Sequence, residues 1–176
     1  MEYFDVYDKN RIPLNYKKVR GEVLLENEFN TGVEVWITND NKILMTKRSL
    51  LKSHPGQWET PGGCIQAGES SLLTAQREMA EEIGINFKED DFRLIGTQLY
   101  KHQFVDIYNS SKNIDINDIS LQIEEVSDVK FVSKEEFIKM IDDENIVPSV
   151  LQRYYLIKDK LDCLLYTSPS PRDSTS

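Results

Sequence analysis

Three glutamates lie close together near the middle of the chain, at positions 78, 81 and 82. Residues three and four positions apart are neighbours on an α-helix, so Glu78, Glu81 and Glu82 would share one face and repel one another without a partner. Acidic clusters of this kind usually hold a hard divalent cation with oxygen ligands, Mg2+ or alternatively Mn2+. A charge cluster taken alone is also compatible with a solvated helix face. The spacing therefore predicts a metal site on a helix if neighbouring residues support it.

The predicted helix has separate acidic and apolar faces. With about 100° per residue, Glu82 lies about 40° to one side of Glu78 and Glu81 about 60° to the other. The same geometry groups three apolar residues on another face, which would dock on a sheet: Leu72, Met79 and Ile83. A rigid helix positions metal ligands better than a loop does.

The stretch from Gly63 to Ile85 resembles the signature of the Nudix hydrolases, G-x5-E-x7-R-E-U-x-E-E-x-G-U with U aliphatic. Every fixed position is filled in this chain, by Gly63, Glu69, Arg77, Glu78, Met79, Glu81, Glu82, Gly84 and Ile85. The resemblance implies an α+β fold, specifically an α/β/α sandwich around a mixed β-sheet. It also implies Mg2+-dependent hydrolysis of a phosphoanhydride in a small molecule, a diphosphate linked to some moiety X.

The resemblance assigns roles within the signature. Glu78, Glu81 and Glu82 are expected to bind the metal together with the backbone carbonyl of Gly63, and Glu78 and Glu81 are also expected to be catalytic. Gly62-Gly63 lets the backbone turn sharply and approach a ligand. The Arg77 guanidinium can pair bidentately with Glu69 or Glu78 and would orient the acids.

Residues outside the signature complete the expected site. A later loop, residues 121–126, is expected to supply a further acid as base or ligand; Glu124 is chosen, with Glu125 nearly equivalent. Basic and aromatic residues before the signature are expected to bind substrate, although a solvated hairpin end or a core position is an equally good account of them: Lys47, Arg48, Lys52 and Trp58.

Two alternative functions are weighed. Arg20-Gly21 and the segments that follow resemble the Nudix branch that includes the isopentenyl-diphosphate isomerases. Those enzymes need a cysteine that aligns with Gly62, and their histidine aligns with Cys64, so the pattern favours hydrolysis over isomerisation. A non-catalytic module that binds nucleotides is the second alternative, and the intact glutamates argue against it.

Composition narrows the class of protein. The chain has 176 residues, 39% of them hydrophobic, which suits one domain with a sizeable core. A net charge of −9 disfavours nucleic acids and anionic membranes as partners. The acidic N-terminus does not resemble a secretory signal, so a cytoplasmic location is expected. The resemblance also makes a homodimer a natural assembly.

The C-terminal residues differ in character from the rest. Cys163 to Asp173 resembles the translation of a transposase-type sequencing adaptor, and a disordered Ser/Pro tail is the alternative. We therefore expect a single domain over residues 1–162 and a non-native, unpacked tail over residues 163–176.

Periodicity and turn residues predict the remaining elements. A hairpin is predicted around Asn39-Asp40-Asn41. Strands are predicted at residues 2–8, 33–38, 43–47, 58–61, 92–100, 104–110 and 126–132. Helices are predicted from Ser70 or Ser71 to about Ile83, from a capping box at Ser133 to about Ile141, and over residues 149–161. This order indicates an α+β or mixed-sheet fold, without regular βαβ repetition.

Overall fold

The computed structural model describes residues 1–166, which form nine strands and three helices. The strands are β1 Tyr3–Tyr7, β2 Pro13–Val19, β3 Asn30–Asn39, β4 Lys42–Arg48, β5 Trp58–Glu59, β6 Gly62–Cys64, β7 Arg93–Tyr100, β8 Gln103–Ser110 and β9 Val126–Ser133. The helices are α1 Ser71–Glu82, α2 Lys134–Asp142 and α3 Pro148–Tyr166.

The main sheet is mixed, and β3 lies at its centre. Strands follow the order β5-β4-β3-β8-β7, with β6 also paired to β3 and β9 to β4. The β3–β8 pair is parallel, whereas the other pairs are antiparallel. The first two strands form a separate antiparallel hairpin.

Helices cover both faces of the main sheet. Side chains alternate along β3, so Val35 packs in the core beneath α1 while Trp36 packs in the core beneath α2 and α3. Met79 of α1 belongs to the first core and Ile157 of α3 to the second. The result is an α/β/α sandwich around a mixed sheet, which confirms the predicted α+β fold class.

Local signals that the sequence carries are realised at the expected places. Asp40 and Asn41 turn the β3–β4 hairpin with φ of 49° and 62°, the left-handed pair that a tight hairpin requires. The Ser70 hydroxyl accepts a hydrogen bond from Leu73 N at the start of α1. Gly84, at φ 69°, ends that helix. The Ser133 capping box opens α2.

The last helix extends past its predicted end. Ile157, Leu161 and Leu165 follow one another at four-residue intervals, and all three are buried in the core beneath α2 and α3. The expectation that the chain is unpacked beyond Asp162 is therefore wrong at Leu165, which is 2% exposed. The domain end at 162 and the adaptor-like origin of the tail stay predictions, and residues 167–176 lie outside the described residues.

Within residues 1–166, no helix has both the length and the apolar character needed to cross a membrane.

Candidate active site

Helix α1 turns its clustered glutamates towards a cavity and its apolar side chains towards the core. Glu78, Glu81 and Glu82 all line the cavity, as their spacing predicts. Glu82 is 7% exposed, whereas the side chain of Glu81 is 47% exposed at the rim. Met79 on the opposite side of the helix is fully buried. The sheet contact of α1 therefore determines where the acids point.

The cavity has a volume of about 310 Å3 and is strongly acidic. Among the described residues, seven glutamates and four basic side chains line it, a formal excess of three negative charges when every carboxylate is ionised: Glu2, Glu34, Glu59, Glu78, Glu81, Glu82 and Glu125 against Arg20, Arg48, Lys52 and Arg153. Each of the four basic residues pairs with a glutamate from outside α1. An anionic substrate would meet net repulsion here unless cations accompanied it.

Burial raises the pKa of two of the α1 glutamates. The pKa of Glu78 rises to about 7, first because its carboxylate is desolvated, and the charge of Arg77 offsets only part of that effect. Burial raises the pKa of Glu82 well above its usual range, and the neighbouring Glu78 raises it further. Glu82 accepts a hydrogen bond from Gly62 N at 3.3 Å, and no ion pair among the described residues neutralises it.

Arg77 orients the acids by contacting several of them at once. Its guanidinium donates to both carboxylate oxygens of Glu69, at 2.7 and 2.9 Å. It also donates to Glu78 at 3.0 Å, to Glu81 at 3.2 Å and to the Cys64 carbonyl at 3.3 Å. The sequence leaves open whether Glu69 or Glu78 is the partner, and the structure shows both. Arg77 contacts the signature helix, its preceding loop and β6, so its position suits an orienting role.

Gly63 is a glycine because the Glu78 carboxylate packs directly against it. A Cβ atom at position 63 would lie 2.3 Å from Glu78 Oε1, so any larger residue there would displace the Glu78 carboxylate. Gly63 belongs to β6, pairs with Val33 of β3 and lines the cavity. The packing brings the glycine backbone and a candidate ligand together. The Gly63 carbonyl as a ligand stays a prediction.

The α1 glutamates suit a hard divalent cation, although their carboxylates do not yet converge on one point. Within residues 1–166, no three acidic, histidine or cysteine side chains stand close enough together to hold an ion. Arg77 holds Glu78 and Glu81 in their present positions. One buried and one partly buried carboxylate beside a glycine backbone, Glu82 and Glu78, supply the oxygen ligands that Mg2+ and Mn2+ prefer. The residues therefore fit the metal that the resemblance implies.

The loop acid that lines the cavity is Glu125, and the choice of Glu124 is corrected. Glu125 faces inwards and forms an ion pair with Lys52. Glu124 is exposed to solvent, and its backbone carbonyl accepts a hydrogen bond from the Ser49 hydroxyl at 2.7 Å. A tight turn, in which Glu125 N donates to Gln122 O, places Gln122 and Glu125 inwards and the residues between them outwards. The sequence alone does not indicate which of the two adjacent glutamates faces the cavity.

Two of the four predicted substrate residues lie elsewhere. Arg48 and Lys52 line the cavity, whereas Lys47 and Trp58 do not. Trp58 is 6% exposed and belongs to the core, and the ammonium groups of Lys47 and Lys130 lie over its ring. The core interpretation of Trp58 is therefore the correct one.

The structure adds cavity residues that sequence patterns did not assign to the site. Glu34 of β3 and Arg153 of α3 form a buried ion pair at 2.6 Å, and Trp36 Nε1 also donates to Glu34 at 2.6 Å. Glu2 and Arg20, from the β1–β2 hairpin, also line the cavity. These residues are 18 to 119 positions apart in their pairs, so no local spacing could have brought them together.

Known proteins with similar sequences belong to the family whose signature supplies the α1 acids of the cavity. The family model described as NUDIX domain matches residues 28–154. The chain is 34% identical over 160 residues to Nudix hydrolase 3 of Arabidopsis thaliana, covering 82% of this chain and 21% of that protein. It is 31% identical over 151 residues to an uncharacterized Nudix hydrolase of Listeria innocua, covering 84% of this chain and 89% of that one. The chain thus spans about a fifth of the plant relative and most of the bacterial one.

Solved structures share the same architecture. The crystal structure of a Deinococcus radiodurans protein, DR0079, superposes with a TM-score of 0.69 at 17% identity, covering 83% of this chain and 92% of that one. At that identity, the similarity supports the fold alone. The family match covers well over half of the chain and contains the glutamate cluster that lines the cavity. The chain belongs to the NUDIX domain family.

Proposed function

We propose that this protein is a metal-dependent hydrolase that cleaves the phosphoanhydride of a diphosphate linked to a moiety X, by attack of water on phosphorus. The observation that supports this most is the buried Glu82 together with Glu78, whose side chain is 13% exposed, on a cavity with a formal excess of three negative charges. Burying carboxylates without cations is unfavourable, so such a site is best explained by cations that arrive with the substrate. The Nudix hydrolases among its relatives add to this support.

The cavity residues have distinct roles in this proposal. Glu78, Glu81 and Glu82, with the Gly63 carbonyl, would hold Mg2+ or Mn2+. The bound ion would neutralise charge that builds on the phosphate oxygens and lower the pKa of a bound water. Arg77 keeps two of these carboxylates in place through its contacts at 3.0 and 3.2 Å.

Glu125 is our candidate for the base that accepts the proton of the attacking water. Glu125 lines the cavity and its side chain is partly exposed, so water can reach it. In the structure, Lys52 forms an ion pair with the Glu125 carboxylate. For Glu125 to act as the base, this ion pair would have to break when substrate binds. Glu81, half-exposed at the rim, is the alternative base.

The identity of X is determined by loops outside the signature. We propose a small-molecule substrate among damaged nucleoside triphosphates, nucleotide sugars, ADP-ribose and isoprenyl diphosphates. A cytoplasmic location and assembly as a homodimer are proposed with it. The net charge of −9 argues against nucleic acid or an anionic membrane surface as a partner.

The test is turnover of a panel of these four classes with Mg2+, with Mn2+ and with a chelator. We expect at least one class to be cleaved, heavy-oxygen label from water to enter one phosphate product, and the chelator to abolish cleavage. Failure to cleave any class with either metal would instead support the non-catalytic binding module. Conversion of isopentenyl diphosphate to its allylic isomer would support the isomerase alternative.

A further inference from the structure

The β1–β2 hairpin lies outside the part of the chain that matches the family model, yet it reaches the cavity. The match begins at residue 28, whereas the hairpin spans Tyr3–Tyr7 and Pro13–Val19. Glu2 and Arg20 stand next to one another at its open end and line the cavity beside the α1 acids. The hairpin therefore contributes a cation to the site from outside the matched region.

The hairpin is held firmly enough to position that cation. At its closed end, Arg11 donates to both oxygens of Asp106 at 2.7 Å, and Asp106 also accepts from Ser71 Oγ at the start of α1. Along β1, the Tyr3 carbonyl accepts from Ala67 N at 2.8 Å. These contacts tie the hairpin to the signature loop and helix, so the open end has a defined place at the cavity. A preorganised cation loses little entropy when it binds an anion.

The Arg20–Glu2 pair is the cavity ion pair that is most open to exchange. The two groups lie 2.7 Å apart, with side chains 56% and 43% exposed. In the other three basic–acidic pairs of the cavity, no side chain is more than 32% exposed: Arg48–Glu59, Lys52–Glu125 and Arg153–Glu34. Exposed ion pairs contribute between about 0 and 1 kcal/mol, so an incoming anion can displace Glu2 readily.

The other two arginines of the cavity, Arg48 and Arg153, already donate to several protein groups, whereas Lys52 pairs with Glu125. The guanidinium of Arg48 donates to Ser53 O at 2.6 Å, to Ser53 Oγ at 3.0 Å and to Glu59 at 2.9 Å. Arg153 donates to Glu34 at 2.6 Å and to Gln98 at 3.3 Å. Both hold elements of the fold together, and releasing them would leave the partly buried Glu59 or the buried Glu34 without its ion-pair partner.

Arg20 also lies within electrostatic reach of the α1 acids. Arg20 and all three α1 glutamates line the same cavity. A cation so placed can reach a substrate held by those acids.

We propose that Arg20 is a substrate-binding residue, which exchanges Glu2 for an oxygen of the substrate's diphosphate. This inference rests on the proposed function, because it assigns a binding role at the same site. The planar guanidinium suits bidentate contact with phosphate oxygens. Glu2 then acts as a placeholder that keeps Arg20 oriented in the free protein, and Gln66, whose side-chain amide donates to Glu2 at 3.1 Å, retains Glu2 after the exchange.

The test is calorimetric binding of methylenediphosphonate, a diphosphate analogue that water cannot cleave, to the full chain with Mg2+. Arg20→Gln should weaken binding roughly tenfold, because a charge-assisted contact is lost. Arg20→Lys should lose less, since it keeps the charge but not the fork. Glu2→Gln should bind at least as tightly as the unmodified protein, because the competing carboxylate is gone.

The matched control is Lys17→Gln, which removes the same charge from the same hairpin. Lys17 faces Asp5 across the hairpin, is exposed and does not line the cavity. It should leave binding unchanged, and all four variants should melt near the temperature of the unmodified protein. Equal binding by Arg20→Gln and the unmodified protein, or no binding by the latter, would overturn the inference. Binding that depends on Arg20 without turnover of any panel compound would contradict the proposed hydrolysis while leaving this inference standing.

Discussion

Glu82 combines deep burial with a carboxylate that has no basic partner among the described ion pairs. Its hydrogen bond comes from Gly62 N, and burial raises its pKa well above the usual range. A buried acid in this setting destabilises the ionised, metal-free protein, because desolvation disfavours its charge. Such unfavourable burial at a cavity surface is what a metal ligand requires, since the ligand must be held ready before the ion arrives.

Glu82→Gln should separate function from stability. The substitution keeps the shape of the side chain but removes a negative ligand, so we expect turnover to fall on the order of a hundredfold or more. The melting temperature without metal should be unchanged or higher, because the amide is less costly to bury than the carboxylate. Stabilisation by Mg2+ should be smaller than in the unmodified protein.

The control for this variant is Glu135→Gln, on the exposed side of α2 and far from the cavity lining. It should change neither turnover nor the stabilisation by Mg2+. Full hydrolytic activity in Glu82→Gln would rule out the metal role of the α1 acids.

Adjacent glutamates offer a second test with a built-in control. Glu125 lines the cavity and Glu124 faces solvent, although the two have the same side chain and neighbouring positions. Glu125→Gln should lower kcat on the order of a hundredfold, the usual effect of removing a general base. Glu124→Gln should leave kcat within about twofold, because its side chain does not face the site. The opposite pattern would restore Glu124 as the loop acid.

At the scale of elements, the ion pair between Arg11 and the buried Asp106 helps to anchor the β1–β2 hairpin. Burial would raise the pKa of Asp106, but hydrogen bonds from Arg11 and Ser71 outweigh it, so the pKa lies below its ordinary value. A carboxylate with a lowered pKa stabilises the fold above the pKa of the unfolded chain, about 4. That contribution is lost as the pH falls through the lowered folded-state pKa.

Asp106→Asn should therefore lower the free energy of unfolding by about 2 kcal/mol at neutral pH. The difference from the unmodified protein should stay constant down to about pH 5 and narrow below about pH 4, because the unfolded chain then takes up a proton that the native carboxylate binds only at lower pH. Urea unfolding across that range measures it. Asp143→Asn, in an exposed pair with Lys139, is the control and should stay within about 0.5 kcal/mol at every pH. A difference that persists into acid would show that packing, and not charge, explains the loss.

Elements with strong local signals could be predicted from the sequence, whereas pairings between distant segments could not. The Asp40-Asn41 hairpin, the Ser70 cap and the Ser133 capping box depend on residues within a few positions, and all three are present. Strand β2 was not predicted. Its residues are mostly exposed and its strand character comes from pairing with β1, so hydrophobic alternation is weak there.

In the site, too, residues that are close in sequence could be predicted, whereas residues from distant segments could not. Four signature residues, Gly63, Glu78, Glu81 and Glu82, follow from spacing on one strand and one helix, and they line the cavity together. Arg20 and Arg153 come from the N-terminal hairpin and from α3, so their presence in the cavity depends on the tertiary fold. The choice between Glu124 and Glu125 depends on a single turn at Gln122, which residue types do not specify.

At the scale of the whole molecule, the chain is acidic overall, and part of its negative charge is concentrated in the cavity. The chain carries a net charge of −9, and three of the excess charges lie in one cavity. An acidic protein can attract an anionic substrate only where bound cations reverse the local field. The fold brings the acids of α1 to the same cavity as the bases of the hairpin, the β4–β5 segment and α3. A diphosphate bound in this cavity would contact both a metal held by the acids and an arginine.

The end of the chain tests how far the packed domain extends. Leu161 and Leu165 pack in the same core, so α3 contributes to stability beyond Asp162. Deleting residues 163–176 should lower the free energy of unfolding by about 2 kcal/mol relative to deleting residues 167–176, because a buried leucine is removed. Comparing the two truncated chains in urea isolates the contribution of residues 163–166. Equal stability would place the domain end at Asp162, as the adaptor-like sequence suggests. A loss would mean that these residues pack whatever their origin, since a leucine at the right helical spacing fills the core irrespective of how it arose.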